Sequence, residues 1–192
     1  SQEGAAVQAY LDKRRIRRGI AVRFGMGAAP DSWDALLTAM THKGYTKQEL
    51  ISAGLAVNGK NGRLYDKFRN RLMLPVIDVR GDVVGFGSRV LDKSEPKYMN
   101  TPETLTYSKR RILYGMNLAK KSKRSNIILC EGNLDVVTLH QAGFDNAVAS
   151  MGTALTQEQL RLLSRYTKEL VLCYDNDNAG QQATRRALEL LN

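Results

Sequence analysis

The stretch that decides the fold runs from residue 126 to residue 180 and reads NIILCEGNLDVVTLHQAGFDNAVASMGTALTQEQLRLLSRYTKELVLCYDNDNAG. Its short apolar segments, NIILC, NAVAS and LVLCY, predict three strands. They alternate with three segments of helical pattern, which are Leu134–Ala142, Gln157–Tyr166 and Ala179–Leu191. Short apolar strands that alternate with helices predict a parallel sheet with right-handed crossovers, in the order βαβαβα.

Acidic residues follow two of these strands. Glu131 comes after NIILC, and Asp175 and Asp177 come after LVLCY. Ligands of parallel sheets bind outside the carboxyl ends of the strands, so we expect these acids to share one edge. Converging carboxylates repel each other unless a hard cation such as Mg²⁺ or Mn²⁺ neutralises them. A simpler interpretation is that the DxD acids cap the following helix, with Asn178 as the N-cap residue. The glutamate at the first strand end favours the metal site.

Charge is distributed unevenly along the chain. Residues 1–124 contain 24 Lys and Arg against 11 Asp and Glu, a net charge of +13, whereas residues 125–192 contain 5 against 8, a net charge of −3. Clustered cations bind polyanions by releasing counterions from phosphates, so the first part predicts a nucleic-acid-binding surface. We therefore expect a boundary near Ser125, between a basic α+β subdomain (1–124) and a parallel α/β subdomain (125–192).

The basic part has weaker patterns. A helix should begin after Asp31 or Ser32, with Trp33 on an apolar stripe that belongs to the core. The segments LMLPVIDV and VVGFGSRVL, joined by Arg80-Gly81-Asp82, predict a β-hairpin. Residues 93–115 have no clean period and predict an ordered loop, whose mixture of residues suits contacts with phosphate, sugar and base; these residues include Lys97, Tyr98, Asn100 and Lys109.

Several classes of function lack support. The two cysteines, Cys130 and Cys173, are far apart, without CxxC spacing, and each ends an apolar strand, so we expect core positions and no zinc site. The sequence contains no Walker-type loop, no nucleophile elbow and no HExxH pair. No apolar run approaches the roughly 20 residues that cross a membrane, and no secretion signal is recognised, so we expect a cytoplasmic protein without membrane contact.

Two sets of segments resemble known families. The segments ILCEGNLDVVTLHQAGFDNAVASMGTALT and LVLCYDNDNAG resemble the TOPRIM fold of topoisomerases and primases. The upstream segments FGMGAAPDSWDALLTAM and NRLMLPVIDVRGDVVGFGSRVLDKSEPKYMNTPETLTYSKRRILYG are similar to the basic segment of bacterial DnaG-type primases. The resemblance runs from about Val7 to Leu191, and the upstream part is the more specific.

The resemblance implies template-directed synthesis of RNA primers from ribonucleoside triphosphates on single-stranded DNA. It implies that the metal-binding catalytic acids are Glu131, Asp175 and Asp177. It further implies that a basic cleft holds template or triphosphate, through residues Arg71, Arg89, Lys97, Tyr98, Asn100 and Lys109. A replicative helicase would be the protein partner, through regions that have no counterpart here, and we expect this fragment to be a monomer.

This chain departs from the family pattern at two points. It has EGNLD where the family usually has EGYMD, and Asn176 where a glycine is common, although the acids are retained. The family's further acidic pair would lie beyond Asn192, so the chain resembles a truncated catalytic core, with weak or no priming expected from it alone. Two alternatives stay open, which are a TOPRIM nuclease or topoisomerase and a non-catalytic module that binds nucleic acid or nucleotide.

Overall fold

The computed structural model describes residues 2–152 and 154–191. The helices are α1 (Gln2–Lys13), α2 (Arg18–Arg23), α3 (Ala35–His42), α4 (Lys47–Ser52), α5 (Met116–Ala119), α6 (Asn133–Gln141), α7 (Gln157–Leu163) and α8 (Asn178–Leu191). The strands are β1 (Gly27–Ala29), β2 (Ala56–Asn58), β3 (Leu64–Asp66), β4 (Arg71–Ile77), β5 (Val83–Val90), β6 (Tyr98–Asn100), β7 (Leu113–Tyr114), β8 (Asn126–Cys130), β9 (Ala147–Ser150) and β10 (Glu169–Cys173).

The chain forms two compact units. The first contains the residues up to Pro75 together with Gly85–Tyr107, and the second contains Val76–Val84 and the residues from Ser108 onward. The predicted boundary near Ser125 stays a prediction.

A four-stranded sheet in the order β1-β4-β5-β6 lies mostly in the first unit, and the ends of β4 and β5 that join at the hairpin turn belong to the second. The predicted hairpin is present as β4 and β5, and its turn carries Gly81 with φ +107°. Gly85 in β5 is needed for packing, because a Cβ atom there would lie 3.0 Å from the ring of the fully buried Tyr107. The predicted loop of residues 93–115 contributes two short strands, β6 and β7.

Helix α3 begins later than its sequence predicts. Its N-cap residue is Asp34, and its first amide groups are bound by a distant side chain. Asp66, which is 1% exposed, accepts hydrogen bonds from Leu36 N at 2.7 Å and Leu37 N at 2.9 Å. The prediction that Asp31 or Ser32 caps this helix is therefore wrong. The Asp66 carboxylate, about thirty residues further along the chain, binds the first amide groups of α3 instead.

The second unit confirms the predicted parallel sheet. Its strand order is β10-β8-β9-β7, in which β8 is parallel to both β10 and β9. The edge strand β7 is antiparallel to β9 and was not predicted. Helix α7 begins with the predicted capping box, in which Thr156 and Gln159 exchange side-chain and backbone hydrogen bonds. One apolar cluster packs this unit; its buried members are Leu113, Met116, Ala119, Ile127, Leu129, Val148, Leu155, Leu163 and Ala187.

Two predicted core residues lie at the surface. Trp33 is 60% exposed, because it precedes α3 and so does not follow that helix's apolar period. Cys173 is exposed as well, because β10 alternates between half-buried and exposed residues at the edge of its sheet. Only Cys130 is buried as predicted.

None of the helices in the described ranges is long and apolar enough to cross a membrane.

Candidate functional site

The predicted acids follow neighbouring strand ends at the carboxyl edge of the parallel sheet. Cys130 ends β8 and pairs in register with Cys173, which ends β10, so Glu131 and Tyr174 begin the adjoining loops. Gly180, in the first turn of α8, reaches both loops: a Cβ atom there would lie 1.9 Å from the Asp175 carbonyl oxygen and 2.9 Å from Glu131 Oε1. Only glycine allows this approach. We call Glu131, Asp175 and Asp177 the acid edge.

Glu131 has an environment that disfavours its charge. Burial raises the pKa of its carboxyl group, and the neighbouring carboxylates of Asp175 and Asp177 raise the pKa further. The Oε1 atom is buried and has no hydrogen-bond partner within the described ranges. A buried carboxylate oxygen without a partner is costly, and a cation is the group that would satisfy it.

Asp177 has a structural role besides any chemistry. Its Oδ1 atom accepts a hydrogen bond of 2.8 Å from Gly180 N, so it caps helix α8. The helix includes Asn178, so the alternative in which Asn178 is the N-cap is wrong in detail. Asp175 is exposed to solvent. Within residues 2–152 and 154–191, no three His, Cys, Asp or Glu side chains are grouped closely enough to hold a metal ion.

The loop after Glu131 is fixed by its own helix. The Gly132 amide donates to Asp135 Oδ2 at 3.0 Å, which ties the N-cap residue to the first turn of α6. Asp135 holds the backbone that carries Glu131, and its charge also raises the pKa of Glu131.

A cavity of about 380 Å³ adjoins the acid edge within the second unit. Its lining includes Glu131, Tyr174 and Arg186, which is exposed on α8. Burial raises the pKa of Tyr174 to about 12, and the negative charge of Glu131 adds to this effect. Sequence reasoning missed Tyr174 and Arg186. The Glu131 carboxylate and the Arg186 guanidinium line the same cavity. A cavity with both charges suits a charged ligand together with its counterion.

Three predicted cleft residues meet in the first unit. The Arg89 guanidinium carbon lies 5.0 Å from the ring centroid of Tyr98, and Arg89 NH1 donates to the Tyr98 hydroxyl. Lys97 Nζ lies 5.7 Å from the same ring. Arg89 also stacks on Tyr10, at 5.2 Å, a residue that sequence reasoning missed. We call Tyr10, Arg89, Lys97 and Tyr98 the cation–tyrosine cluster.

Each of the other predicted cleft residues has different surroundings. Arg71 is only 5% exposed, and its NH2 group donates to Pro96 O at 2.7 Å. Burial lowers the pKa of Arg71, and the nearby charge of Arg69 lowers it further. Asn100 is half-buried in β6, where it pairs with Gly87. Lys109 belongs to the second unit, where its carbonyl accepts a hydrogen bond of 2.9 Å from Gln159.

A second group of aromatic and basic residues was missed entirely. The Arg69 guanidinium carbon lies 4.2 Å from the Trp33 ring centroid and 5.1 Å from that of Tyr65. The two aromatic rings meet edge to face, with centroids 5.3 Å apart. A cavity of about 630 Å³ beside them is also lined by Lys60 and Arg63. We call Trp33, Tyr65 and Arg69 the aromatic platform. The mixed basic and aromatic segment Leu64–Arg71 was the available signal, whereas the apolar stripe concealed the part of Trp33.

Two family models match the chain. The one described as DNA primase catalytic core, N-terminal domain, matches residues 1–120, and the one described as Toprim-like matches residues 128–192.

Curated relatives give the same result. The DNA primase of Clostridium acetobutylicum is 51% identical over 183 residues, which is 95% of this chain and 30% of that protein. The DNA primase of Escherichia coli K12 is 44% identical, over 94% of this chain and 31% of that protein. The chain therefore spans about a third of the length of these relatives.

Solved structures match nearly the whole chain. The E. coli primase catalytic core superposes with a TM-score of 0.92 at 42% identity, covering 99% of this chain and 61% of that chain. A DnaG primase catalytic domain bound to single-stranded DNA superposes with a TM-score of 0.91 at 41% identity, covering 99% and 62%.

Proposed function

Because the chain belongs to the DnaG-type DNA primase family, we propose that it is part of a catalytic core that synthesises RNA primers from ribonucleoside triphosphates on single-stranded DNA. Its activity would be that of a DNA-directed RNA polymerase, a nucleotidyltransferase. The observation that carries the proposal is the acid edge in the Toprim-like part, where Gly180 lies close to both the Glu131 carboxylate and the Asp175 backbone carbonyl.

Mg²⁺ or Mn²⁺ is the proposed cofactor, and Glu131, Asp175 and Asp177 would hold it. The partnerless Oε1 atom of Glu131 and the raised pKa of this residue support that assignment. Such a cation would neutralise charge on the reacting phosphates and orient the attacking hydroxyl group. Asp177 would contribute through Oδ2, because its Oδ1 atom accepts the bond from the Gly180 amide.

The cation–tyrosine cluster would hold phosphate. Arg89 stacks between the rings of Tyr10 and Tyr98, which holds the guanidinium in one orientation. Lys97 is exposed and adds a mobile positive charge. A fixed guanidinium suits bidentate phosphate binding, and a lysine suits less directional attraction. Tyr98 and Asn100 would contact sugar or base, and Lys109 would bind template or triphosphate within its own unit.

Arg71 would act by positioning the residues that bind. It donates to the carbonyl of Pro96, the residue immediately before Lys97. Its guanidinium therefore anchors the segment that carries Lys97 and Tyr98. A buried cation that binds a carbonyl costs desolvation, which is consistent with the lowered pKa of Arg71.

The aromatic platform would bind bases of the single-stranded template. Exposed aromatic rings stack on bases regardless of sequence, and arginine adds a cation–π contribution. Trp33 and Arg69 provide both groups 4.2 Å apart, and the adjoining lysine and arginine can follow the phosphate backbone. The relative whose structure contains single-stranded DNA supports this choice of ligand.

The cellular setting is also a proposal. We infer that the protein acts in the cytoplasm as a monomer and meets a replicative helicase through segments that its longer relatives possess. Residues 1–192 alone should prime weakly or not at all, since the chain spans about a third of the curated relatives' length.

The decisive experiment is a template-dependent primer assay on the full-length protein that contains this chain. We expect ribonucleotide incorporation with Mg²⁺ or Mn²⁺, and a loss of at least about a hundredfold in Asp175→Ala, because the charge stabilisation that metals provide is several kcal/mol. Undiminished incorporation by Asp175→Ala would remove the acid edge from the mechanism. Strand cleavage without incorporation would favour a TOPRIM nuclease, and nucleic-acid binding without either reaction would favour a binding module.

A further inference from the structure

The two cysteines of the chain lie side by side at the acid edge. Strands β8 and β10 are parallel neighbours, and their register pairs Cys130 with Cys173. Adjacent strands are separated by about 4.8 Å, which falls within the Cα separation of about 4.4–6.8 Å that a disulfide spans. The register therefore places the two Cα atoms within the range of a disulfide. The Cβ atoms of a disulfide lie about 3.8 Å apart, less than the spacing of the strands, so the bond would draw the two strand ends together.

Both thiols project from the same face of the sheet. Ile127 and Leu129 of β8 belong to the apolar core of this unit, and Leu170 and Leu172 of β10 pack against it. Side chains alternate along a strand, so the cysteines, one residue beyond Leu129 and Leu172, project from the opposite face. The two sulfur atoms therefore lie on the same side of the sheet, at the ends of neighbouring strands.

The two thiols differ in their access to solvent. Cys173 is exposed, whereas Cys130 is 1% exposed, and neither is in a disulfide. A small oxidant can reach the Cys173 thiol from solvent. The buried Cys130 thiol is accessible only to the neighbouring Cys173. An exposed cysteine beside a second thiol is the usual arrangement of redox-sensitive pairs, and intracellular disulfides are mostly of this transient kind.

We propose that Cys130 and Cys173 are a site of reversible disulfide formation that disturbs the acid edge. A low-molecular-weight disulfide, RSSR, is attacked by the Cys173 sulfur, which forms a mixed disulfide and releases one RS⁻ group. The Cys130 sulfur then attacks the Cys173 sulfur, forms the intramolecular disulfide and expels the second RS⁻ group. The two protons of the protein thiols end on the two released groups, so that two thiols are oxidised and RSSR is reduced to 2 RSH.

The disulfide would act on the residues that follow the two cysteines. Glu131 follows Cys130 directly, and Asp175 lies two residues beyond Cys173. A covalent bond between the strand ends would alter the spacing of these two carboxylates. This part of the inference rests on the proposed function of the acid edge, whereas formation of the disulfide does not.

Peptide mapping tests the disulfide without any assay of activity. The purified, reduced chain is incubated in its native state with oxidised glutathione, digested without reducing agent and analysed by mass spectrometry. We expect a peptide pair joined through Cys130 and Cys173 that separates after dithiothreitol. Cys130→Ser should retain glutathione on Cys173, and Cys173→Ser should leave the buried Cys130 unmodified. Persistent glutathione on Cys173 of the unsubstituted chain, without the internal disulfide, would overturn the proposal.

Manganese binding tests the effect on the acid edge. Spectroscopic Mn²⁺ titration of the reduced and oxidised chain should show an affinity about tenfold lower after oxidation, the size of effect typical of changes just outside a metal's ligands. The glutathione-treated Cys173→Ser variant should keep the affinity of its untreated form. Equal affinities of reduced and oxidised chain would refute the effect. If the reduced chain bound no Mn²⁺, the proposed metal site would fail, while peptide mapping would still decide whether the cysteines pair.

Discussion

At the acid edge, the sequence indicates where individual residues lie, and the surrounding structure determines how buried they are. The position of Glu131 and Asp175 at one sheet edge could be predicted from the sequence, because Glu131 directly follows one apolar strand and Asp175 is separated by one residue from the end of another. The burial of Glu131 Oε1 could not be predicted, because it depends on the close approach of Gly180 in α8. Gly180 itself appeared in the sequence only as a residue early in a helical pattern.

Replacing Glu131 by glutamine should stabilise the metal-free chain at neutral pH. The folded-state pKa of Glu131 lies above its ordinary value, so its contribution to stability is fully present below the ordinary pKa and is lost as the pH rises through the raised one. Because glutamine does not ionise, Glu131→Gln removes this loss of stability. We expect a gain below about 1 kcal/mol, because the carboxylate is partly screened by solvent.

Urea unfolding at several pH values measures this effect. The advantage of Glu131→Gln should shrink as the pH falls below the ordinary pKa of glutamate. A constant difference between the two proteins across the pH range would show that the charge of Glu131 is not the cause.

Replacing Gly180 by alanine should destabilise the chain, although alanine normally favours a helix. The added Cβ atom would lie 1.9 Å from the Asp175 carbonyl oxygen, so that the loop or the start of α8 must move. We expect a loss of about 1–3 kcal/mol, as for other overpacked positions, and weaker Mn²⁺ binding.

Gly19→Ala is the matched control, since it adds the same atom to helix α2 with nothing within 4 Å. It should be neutral or stabilise by up to about 1 kcal/mol. Thermal unfolding of both variants makes the comparison, and an equally stable Gly180→Ala protein would argue against the close approach.

At the scale of secondary structure, periodic segments were predicted and long-range contacts were not. Strands β8, β9 and β10 were predicted from their apolar runs, whereas β7, with two residues, is too short to show a period. The start of α3 was wrong because Asp66, remote in sequence, binds its first amides. The error at Trp33 has the same origin, since a helix that begins at Ala35 does not include it.

The start of α7 should depend strongly on Gln159. This fully buried side chain accepts from Thr156 N at 3.1 Å and donates to the carbonyls of Lys109 and Ile112, both at 2.9 Å. Gln159→Ala leaves these groups without a partner, and we expect a loss of about 2–4 kcal/mol from the combined capping and hydrogen-bond effects. Gln157→Ala, at an exposed position of the same helix, should change stability by less than about 0.5 kcal/mol. Urea midpoints that are equal for the two variants would contradict the assigned hydrogen bonds.

At the scale of the whole molecule, the net charge and the matching family models both indicate a protein that binds nucleic acid. The net charge of +13 over residues 1–124 predicts a polyanion ligand, and the family models assign the chain to primases. The fold class and the general kind of site followed from strand patterns and charge. The aromatic platform could not be predicted in this way, because the contact of Arg69 with Trp33 joins residues 36 positions apart in the sequence.

Two substitutions should separate stacking from charge in the binding of single-stranded DNA. Trp33→Ala should weaken binding by about 1–3 kcal/mol, the contribution of one stacked base, without altering the dependence on salt. Lys97→Ala should weaken binding and reduce the salt slope by about one. Lys43→Ala, which removes an exposed cation at the end of α3, serves as the control and should have less effect than Lys97→Ala. Fluorescence anisotropy over a range of salt concentrations measures both quantities, and identical slopes for Lys97→Ala and the unsubstituted chain would exclude Lys97 from phosphate binding.

Mn²⁺ titration followed by electron paramagnetic resonance tests whether the acid edge holds a divalent cation. We expect saturable binding to the chain that is lost or weakened at least about tenfold in both Glu131→Gln and Asp175→Asn. Lys43→Ala should bind Mn²⁺ as the unsubstituted chain does. Binding of unchanged affinity in both acid variants would contradict the account.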